Sequence, residues 1–399
     1  GEVSHFQALT TALSGTVGLG NIAGVGVALS IGGAGATFWM IVCGLFGMAS
    51  KFTECTLGVK YRNENADGTV SGGPMYYLSK AFKEKGHAKT GKILAVGFAI
   101  MTIFAAFGAG NMFQGNQANA MIVQTFGLAP GYGWITGIIF AILLAGVIIG
   151  GMPSIGSVTS KLVPFMATLY VGMAVIVLVS HYDQIGAAFE QIFIGAFTGA
   201  GVAGGFIGAL IQGLKRATFS NEAGVGSAAI AHSAVKTKEP ITEGFVSLLE
   251  PFIDTVVIFT MTALVIIISG MNTGALSGVT LTAAAFTETS FIFEYFLALA
   301  VVMFAFSTMV SWSYYGLKAW TYLFGEGATT ELVYKGIFCL FVIVGTSISF
   351  GAVIDFSDAA MFSMSIFNII GLYYLMPIVK KELNSFVARV NSGEIKRYK

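Results

Sequence analysis

Long apolar runs, separated by short polar or basic stretches, recur along the whole chain. Each run is about as long as the roughly 20 residues that a helix needs to cross a bilayer, so the pattern predicts membrane-spanning helices. Ten spans are predicted, at residues 10–30, 37–59, 94–125, 133–150, 159–181, 192–214, 245–270, 291–324, 333–351 and 357–379. The third and the eighth exceed the required length, so we expect each to tilt or to project beyond the bilayer.

The first predicted span is apolar, yet its sequence weakens a helix. The stretch SGTVGLGNIAGVGVAL, residues 14–29, brings three glycines within six residues and adds polar side chains. Glycine in a helix interior costs about 1 kcal/mol relative to alanine, and a break at membrane depth is tolerated only where protein or a cavity satisfies the freed backbone groups. Freed carbonyls can hold a cation, and the N-terminus of a half-helix can hold a carboxylate. We therefore assign a substrate site to Thr16, Gly18, Gly20 and Asn21.

The sixth predicted span contains a second glycine-rich stretch, FTGAGVAGGFIGAL, at residues 197–210. It opens a second set of five spans, just as the first stretch opens the first set. Glycine-interrupted segments at corresponding positions of two halves indicate the central site of a transporter. Thr198, Gly199 and Phe206 are accordingly added to the predicted substrate site. The alternative interpretation is that these glycines only allow close packing between helices.

The two sets of spans predict an internal repeat. An odd number of spans separates corresponding helices, so the two halves have inverted topologies. We predict five-helix repeats at residues 1–186 and 187–379, followed by a cytoplasmic basic tail at 380–399. The predicted fold class is an all-α integral membrane protein with discontinuous first and sixth spans.

Other polar residues fall inside the predicted spans. Ser307 and Thr308 offer adjacent hydroxyl oxygens that suit a weakly held monovalent cation, although membrane hydroxyls often bond only their own helix. Asn111 and Gln114 lie one turn apart on one helix face, which favours pocket lining over contacts between helices. Trp312 is a candidate for the wall of the pocket.

Composition narrows the class of protein further. The chain is 55% hydrophobic and 10% charged, with a mean hydropathy of +0.79, whereas soluble domains carry about 25% charged residues. A net charge of +1 gives no reason to expect nucleic acid as a partner, and three cysteines in apolar runs imply no disulfide framework. No obligate protein partner is evident, so the lipid bilayer is the expected environment.

Catalytic chemistry is not expected. The four histidines lack metal-ligand spacing, and no nucleophile or metal cluster accompanies paired acids. The stretch GAGVAGG matches a dinucleotide-binding pattern, but it lies in an apolar span rather than between a strand and a helix. Glu250 and Asp254, near the inner end of span seven, are interpreted as ion-pair or gating residues before substrate ligands.

The basic residues predict an orientation. All 21 Lys and Arg residues fall in alternate loops or in the halves of the spans that face them, and seven of them lie in the linker after span two. Intervening loops such as 126–132 and 182–191 contain none. By the positive-inside rule, both termini are cytoplasmic, which requires an even number of spans. The predicted location is the cell membrane.

Three stretches together resemble the alanine/glycine:cation symporter family. They are SGTVGLGNIAGVGVAL, GGPMYYLSKAF at 72–82, and FSNEAGVGSAAIAHSAVKTKEP at 219–240. With the pattern of spans, the resemblance extends over essentially the whole chain. Members of this family usually have an additional N-terminal segment, and this chain begins at Gly1 without an initiator methionine, so we expect a segment upstream.

The resemblance implies a fold and a cation site. The family is similar to the amino acid–polyamine–organocation superfamily, with a LeuT-type fold of five plus five inverted helices. The resemblance implies that the backbone near the first break meets the substrate. It also implies a sodium site formed by carbonyls of Ser14 and Val17, which face Phe304, Ser307 and Thr308.

The resemblance further implies symport of alanine or glycine with Na⁺, or less often with H⁺. The leading hypothesis is therefore secondary active transport by alternating access. A cation-independent exchanger of small amino acids and a proton-coupled symporter are the alternatives within that class. An ion channel is a weaker alternative, because channels usually assemble a filter by oligomerisation. The stretch NEAGVGSAAIAHSA is interpreted as a short interfacial helix that moves with a gate.

Overall fold

The protein is almost wholly helical in its computed structural model, which describes residues 1–66, 68–129, 131–199, 204–271 and 276–395. One short hairpin, of strands β1 (Asn63–Glu64) and β2 (Val70–Ser71), interrupts the helices. The described helices are α1 (His5–Thr16), α2 (Gly20–Gly32), α3 (Ala36–Lys60), α4 (Pro74–Glu84), α5 (Ala88–Phe126), α6 (Gly133–Ile148), α7 (Gly151–Ser180), α8 (Ile185–Thr198), α9 (Gly205–Asn221), α10 (Ala228–His232), α11 (Pro240–Ile268), α12 (Gly278–Thr289), α13 (Ile292–Phe324), α14 (Ala328–Gly345) and α15 (Phe350–Asn391).

Seven of the described helices are long and apolar enough to cross a membrane, and the pair α1 and α2 adds an eighth if it counts as one span. That pair is bent by 45° at the predicted first interruption. The seven match the second, third, fifth and seventh to tenth predicted spans within several residues at most ends. The fourth predicted span, α6, is apolar but shorter. The predicted tail at 380–399 is not wholly separate, because α15 continues to Asn391.

The sixth predicted span, 192–214, covers parts of two helices, which end and begin within its glycine-rich stretch. Helix α8 ends at Thr198, and α9 begins at Gly205; residues 200–203 of the stretch lie outside the described residues. Gly199, Gly204 and Gly205 all have positive φ angles, a region that glycine enters without steric cost. Among described residues, this glycine-rich stretch therefore ends one helix and starts the next.

The interruption that follows α9 is a different one. Residues 222–227 separate α9 from the five-residue α10, and Gly224 and Gly226 have φ angles of +82° and +94°. The predicted interfacial helix is wrong, because α10 is fully buried. The discontinuous segment is therefore Gly205–Asn221 followed by Ala228–His232.

Helix α13 forms the centre of the molecule. Every residue from 307 to 317 is buried, and hydroxyl groups on this stretch bond to α1. Exposed apolar side chains lie instead on outer helices, for example Ile142, Phe165 and Leu340. This distribution, with polar groups inside and apolar groups outside, suits a multi-pass protein whose outer surface faces lipid.

Candidate substrate and cation site

Side chains of α2 and α5 satisfy the backbone at the break between α1 and α2. The Asn21 Oδ1 accepts a hydrogen bond from the Gly18 amide at 2.9 Å, and the Gln114 Oε1 accepts one from the Leu19 amide at 3.2 Å. Both amides lie in the stretch where the helix is interrupted, so side-chain oxygens replace the helical carbonyls there. Backbone groups freed by the break are thus satisfied by protein, as membrane depth requires.

Glycine is required at this break by space rather than by backbone angle. A Cβ atom on Gly18 would lie 2.3 Å from the Thr308 Oγ1, and one on Gly20 would lie 2.8 Å from the Ser220 Oγ. The glycines therefore let the broken backbone approach α13 on one side and the end of α9 on the other.

The second break meets the first through Ser220, at the end of α9. The Ser220 hydroxyl lies within hydrogen-bond distance of two acceptors, the Thr16 carbonyl oxygen at 3.3 Å and the Asp254 Oδ1 at 2.9 Å. The Asn21 Nδ2 donates to the same Asp254 Oδ1 at 2.7 Å. Asp254 is fully buried and also accepts a bond from Thr255. One buried carboxylate thus ties together the two interrupted helices.

Glu222 begins the second break in an unusual backbone conformation. Its φ of +56° makes it the one non-glycine residue with positive φ in the described part of the chain, a conformation that costs energy and that clusters at functional sites. Its carboxylate accepts a hydrogen bond from the Trp312 Nε1 at 3.0 Å and another from the Ser227 hydroxyl. The Trp312 ring is thereby fixed in the protein interior.

A small cavity lies between the two breaks. Its interior space is only about 10 Å³, near the least that holds one water molecule. The residues that line it are Gly15, Thr16, Gly18, Gly20, Ala109, Gln114, Phe219, Ser220, Glu222, Trp312 and Met361. Backbone and polar groups thus share the lining with bulky Phe219, Trp312 and Met361.

Five of the predicted substrate residues line this cavity: Thr16, Gly18, Gly20, Gln114 and Trp312. Asn21 is next to it, bonded to the Gly18 amide. The structure does not bring the other four to the cavity. Asn111 donates from its Nδ2 to the Phe338 carbonyl at 2.6 Å, which places its amide against α14.

The predicted residues of the α8–α9 region lie elsewhere. Thr198 is exposed and bonds to the Ile194 carbonyl one turn back. Phe206 packs edge-on against Trp39, with ring centroids 5.7 Å apart. Gly199 approaches the Gly205 backbone so closely that a Cβ would lie 1.9 Å away. These three residues build a turn and an aromatic cluster.

Sequence reasoning missed the residues of the true second break. Ser220 and Glu222 line the cavity, and Asp254 joins both breaks, although the sequence suggested only an ion-pair or gating role for this acid. The signal was present in SNEAGVG, where polar residues precede two glycines spaced two apart. Glu250 does form the predicted ion pair, with Lys51 at 3.1 Å.

The predicted cation residues converge between α1 and α13. The Thr308 hydroxyl donates to the Ser14 carbonyl at 2.9 Å, and the Ser14 hydroxyl donates to the Ser307 carbonyl at 2.5 Å. The Ser307 hydroxyl donates to the Phe304 carbonyl at 3.1 Å. Val17, just after the end of α1, is buried as well. Neutral oxygens of this kind are ligands that a hard monovalent cation accepts.

Comparisons with known proteins agree with this architecture. Residues 1–399 match the family described as "Sodium:alanine symporter family". The chain is 42% identical, over 97% of its length and 84% of the relative's, to the sodium/alanine symporter AgcS of Methanococcus maripaludis. It is 31% identical, over 98% of its length and 80% of the relative's, to the probable sodium/glutamine symporter GlnT of Bacillus subtilis.

The fold is also that of solved transporters. The crystal structure of MhsT in complex with L-phenylalanine covers 93% of this chain, which covers 88% of MhsT, with a TM-score of 0.65 and 16% identity. At that identity the likeness shows the fold alone, and it is the predicted LeuT-type fold with interrupted first and sixth spans. The relatives are transporters and not enzymes. The chain belongs to the sodium:alanine symporter family, whose members couple amino acid transport to sodium.

Proposed function

We propose that this protein co-transports a small neutral amino acid, alanine or glycine, with Na⁺ by alternating access. The observation that carries the proposal is the small cavity between two interrupted helices, next to the hydroxyl and carbonyl oxygens of Ser14, Ser307 and Thr308. The family membership supports the sodium coupling, and AgcS, which is 42% identical, carries alanine in its name.

The cavity suggests how an amino acid is oriented. Helix α2 begins at Gly20, so its partially positive N-terminus is suited to the substrate carboxylate. Glu222 is the one acid among the lining residues, and it attracts the substrate ammonium group. At about 10 Å³ the cavity must enlarge before it can hold any amino acid, and bulky Trp312 and Phe219 in its wall favour alanine and glycine over larger substrates.

The cation site suggests how coupling arises. Na⁺ held by Ser14 and Val17 carbonyls and by the α13 hydroxyls fixes the end of α1, where the substrate backbone contacts begin. A cation that orders this break raises the affinity for the amino acid, and by thermodynamic reciprocity the amino acid raises the affinity for the cation. The 45° bend between α1 and α2 supplies the hinge at which one half-helix moves.

Uptake of labelled alanine into proteoliposomes tests the proposal. We expect accumulation with an inward Na⁺ gradient and none when K⁺ replaces Na⁺. An inward proton gradient that replaces Na⁺ fully would instead indicate proton coupling. Uptake that ignores all gradients but requires internal alanine would identify an exchanger and contradict the cation site. Competition by unlabelled glycine, but not by glutamine, is expected from the small cavity.

A further inference from the structure

Five ionisable side chains form a continuous chain of contacts outside the substrate cavity. The His5 Nδ1 contacts the Glu243 Oε2, and the Glu243 Oε1 lies 2.5 Å from the His232 Nδ1. The His232 Nε2 contacts the Glu250 Oε1, and the Glu250 Oε2 lies 3.1 Å from the Lys51 Nζ. Of these side chains only His5 is exposed, at 44%, while the other four are at 0%. The chain thus leads from the protein surface into the interior.

Counting protons shows what this geometry requires. Both nitrogens of His232 lie within hydrogen-bond distance of a carboxylate oxygen, and an ionised carboxylate can only accept. A neutral imidazole has one N–H, so it can satisfy only one of the two contacts. The second contact needs one further proton, either on His232 or on one of the two carboxyl groups. His232, Glu243 and Glu250 together therefore carry one more proton in this arrangement than they would with a neutral imidazole and two ionised carboxylates.

The surrounding charges favour that additional proton. Lys51 faces Glu250, Glu54 and Glu222, so one ammonium group serves three carboxyl groups. A doubly protonated His232 supplies a second positive charge beside Glu250 and Glu243, whereas loss of the proton leaves Lys51 as the one buried cation facing these carboxylates, which is costly in a buried site. Among the described residues, the other ionisable groups that interact with this set are Glu54 and Cys55 of α3, Glu222, and Tyr315 of α13. Arg62 bonds to the Ser233 carbonyl just after α10.

The proton lies where two half-helices meet α11. Glu243 accepts from His5 in the first turn of α1 and from His232 in α10. The residues just before α1 and just after α10 are also joined by backbone bonds, from the Glu2 amide to the Ala234 carbonyl at 2.6 Å and from the Lys236 amide to the Val3 carbonyl at 2.8 Å. The two half-helices are therefore built to move together, and Glu243 and Glu250 hold both of them to α11.

We propose that His232, Glu243 and Glu250 form a proton-binding site whose proton holds α1 and α10 against the start of α11. Loss of the proton leaves two lone pairs in contact and an unpaired buried charge, and so releases both half-helices. This site is separate from the proposed sodium site, and the inference does not depend on the identity of the transported substrate.

A native thiol reports on this release. The Cys55 Sγ lies within 4.8 Å of ligand atoms of both His232 and Glu250, and Cys55 is fully buried. In a Cys43→Ala, Cys339→Ala protein, Cys55 is then the single thiol. The experiment measures its rate of labelling by N-ethylmaleimide in the detergent-solubilised full chain, without Na⁺ or alanine. The control protein also lacks Cys55 and instead carries Ser392→Cys, an exposed thiol, in the same Cys43→Ala, Cys339→Ala background. Its labelling rate measures how the reagent's own reactivity changes with pH.

The pH profile and two variants decide the matter. When His232, Glu243 and Glu250 are unchanged, the labelling rate of Cys55 divided by that of the control thiol should rise between about pH 6 and about pH 9. Loss of one proton gives a slope of up to about tenfold per pH unit. Glu243→Gln should abolish the rise and stay slowly labelled, because the amide N–H donates to neutral His232 while its oxygen still accepts from His5. His232→Gln should be labelled rapidly at every pH, since a glutamine amide has one donor nitrogen and cannot donate to both carboxylates from opposite sides, as a doubly protonated imidazole does.

Several results would overturn the proposal. A Cys55-to-control ratio that is flat in the wild type, or a Glu243→Gln protein that keeps the wild-type profile, contradicts the proton site. Slow labelling that a chelator accelerates would show that Cys55, His232 and Glu250 hold a metal ion instead. If His232→Gln does not fold, the wild-type profile and the Glu243→Gln profile still decide. None of these results bears on sodium-driven uptake, so failure here is distinguishable from failure of the proposed function.

Discussion

Variants of two hydroxyl groups of α13 test sodium symport against cation-independent exchange. Ser307→Ala and Thr308→Ala each remove an oxygen from the proposed cation site. Loss of one such interaction costs about 1 kcal/mol or more, so we expect each variant to need several-fold more Na⁺ for half-maximal alanine uptake, and the double variant to need far more.

Ser311→Ala is the matched control for this pair. Ser311 also bonds α13 to α1, through the Thr11 carbonyl at 2.8 Å, but one turn from the proposed site. The Ser311→Ala variant loses a bond between α13 and α1, as Thr308→Ala does, and it should keep the Na⁺ dependence of the wild type. Transport that is unchanged in the Ser307 and Thr308 variants would favour a cation-independent exchanger.

Gly18 tests the close approach of the first break to α13. A methyl group at Gly18 would lie 2.3 Å from the Thr308 Oγ1, and overpacking of this kind costs about 1–3 kcal/mol. Gly18→Ala should therefore abolish or strongly reduce sodium-driven alanine uptake. Gly24→Ala, in the same segment with open space around the position, should transport normally, and equal losses in both variants would contradict the argument from space.

Trp312 and Glu222 together should determine how large a substrate is accepted. The Trp312 side chain packs directly against the backbone of Gly110. A Cβ atom at residue 110 would lie 2.2 Å from the Trp312 ring, so only glycine leaves space for the ring there. Trp312→Phe shortens the wall and removes the N–H bond to Glu222. We expect it to reduce the discrimination between alanine and a larger apolar amino acid by about tenfold or more, measured as the ratio of kcat/KM values for uptake. Glu222→Gln keeps an acceptor for the indole N–H, so it should keep the size limit even if uptake slows.

At the residue scale, sequence predicted the first break well and the second poorly. Gly18, Gly20 and Gln114 could be found because weak helix formers and amides are costly in a helix that faces only lipid, so their presence in an apolar run indicates a site. Sequence alone did not place Ser220 and Glu222 in the cavity, because they follow the basic pair Lys215–Arg216 and the pattern there is typical of a loop. They contact Thr16, Asp254 and Trp312, which are distant in sequence. The hydrophobic periodicity of the chain gives no indication that residues so far apart meet.

At the scale of elements, most predicted spans correspond to observed helices because long apolar runs have one stable solution in lipid. The exception shows the limit of that argument. Glycine-rich residues 197–210 and the segment 222–227 look alike in composition, yet one ends a helix at an aromatic cluster and the other adjoins the cavity. Composition identifies where a helix is weak, but tertiary contacts decide whether the weak point becomes a turn or a site.

Glycine also sets the spacing between whole helices. A Cβ on Gly316 of α13 would lie 1.9 Å from the buried Tyr334 hydroxyl of α14 and 2.7 Å from the Ala106 Cβ of α5. Gly316→Ala should therefore destabilise the protein by about 1–3 kcal/mol, seen as a lower midpoint of thermal unfolding in detergent. Gly336→Ala, on α14 with open space around it, should be neutral or stabilising because alanine favours a helix by about 1 kcal/mol. A similar loss in both variants would show that spacing is not the cause.

At the scale of the whole molecule, the prediction of an even number of spans depends on where the basic residues lie. Lys80 of α4 and Arg62 before β1 both bond to backbone carbonyls, so part of the basic linker after α3 is built into the fold. Lys60 and Arg389 form ion pairs near the far ends of α3 and α15. Basic residues that are fixed in this way still bear their charge and still bias orientation, because the positive-inside rule depends on position next to the spans.

Cysteine labelling in intact cells tests that orientation directly. In a protein without its native cysteines, Ser180→Cys lies at the exposed end of α7, and Ser392→Cys lies just beyond α15. If both termini are cytoplasmic, a membrane-impermeant maleimide should label the first position in intact cells and the second only after permeabilisation. The opposite pattern would invert the molecule, and the proton site at His232 would then face the outside. Labelling of both positions from outside would mean that an even number of spans lies between the end of α7 and the end of α15, which contradicts the five predicted there.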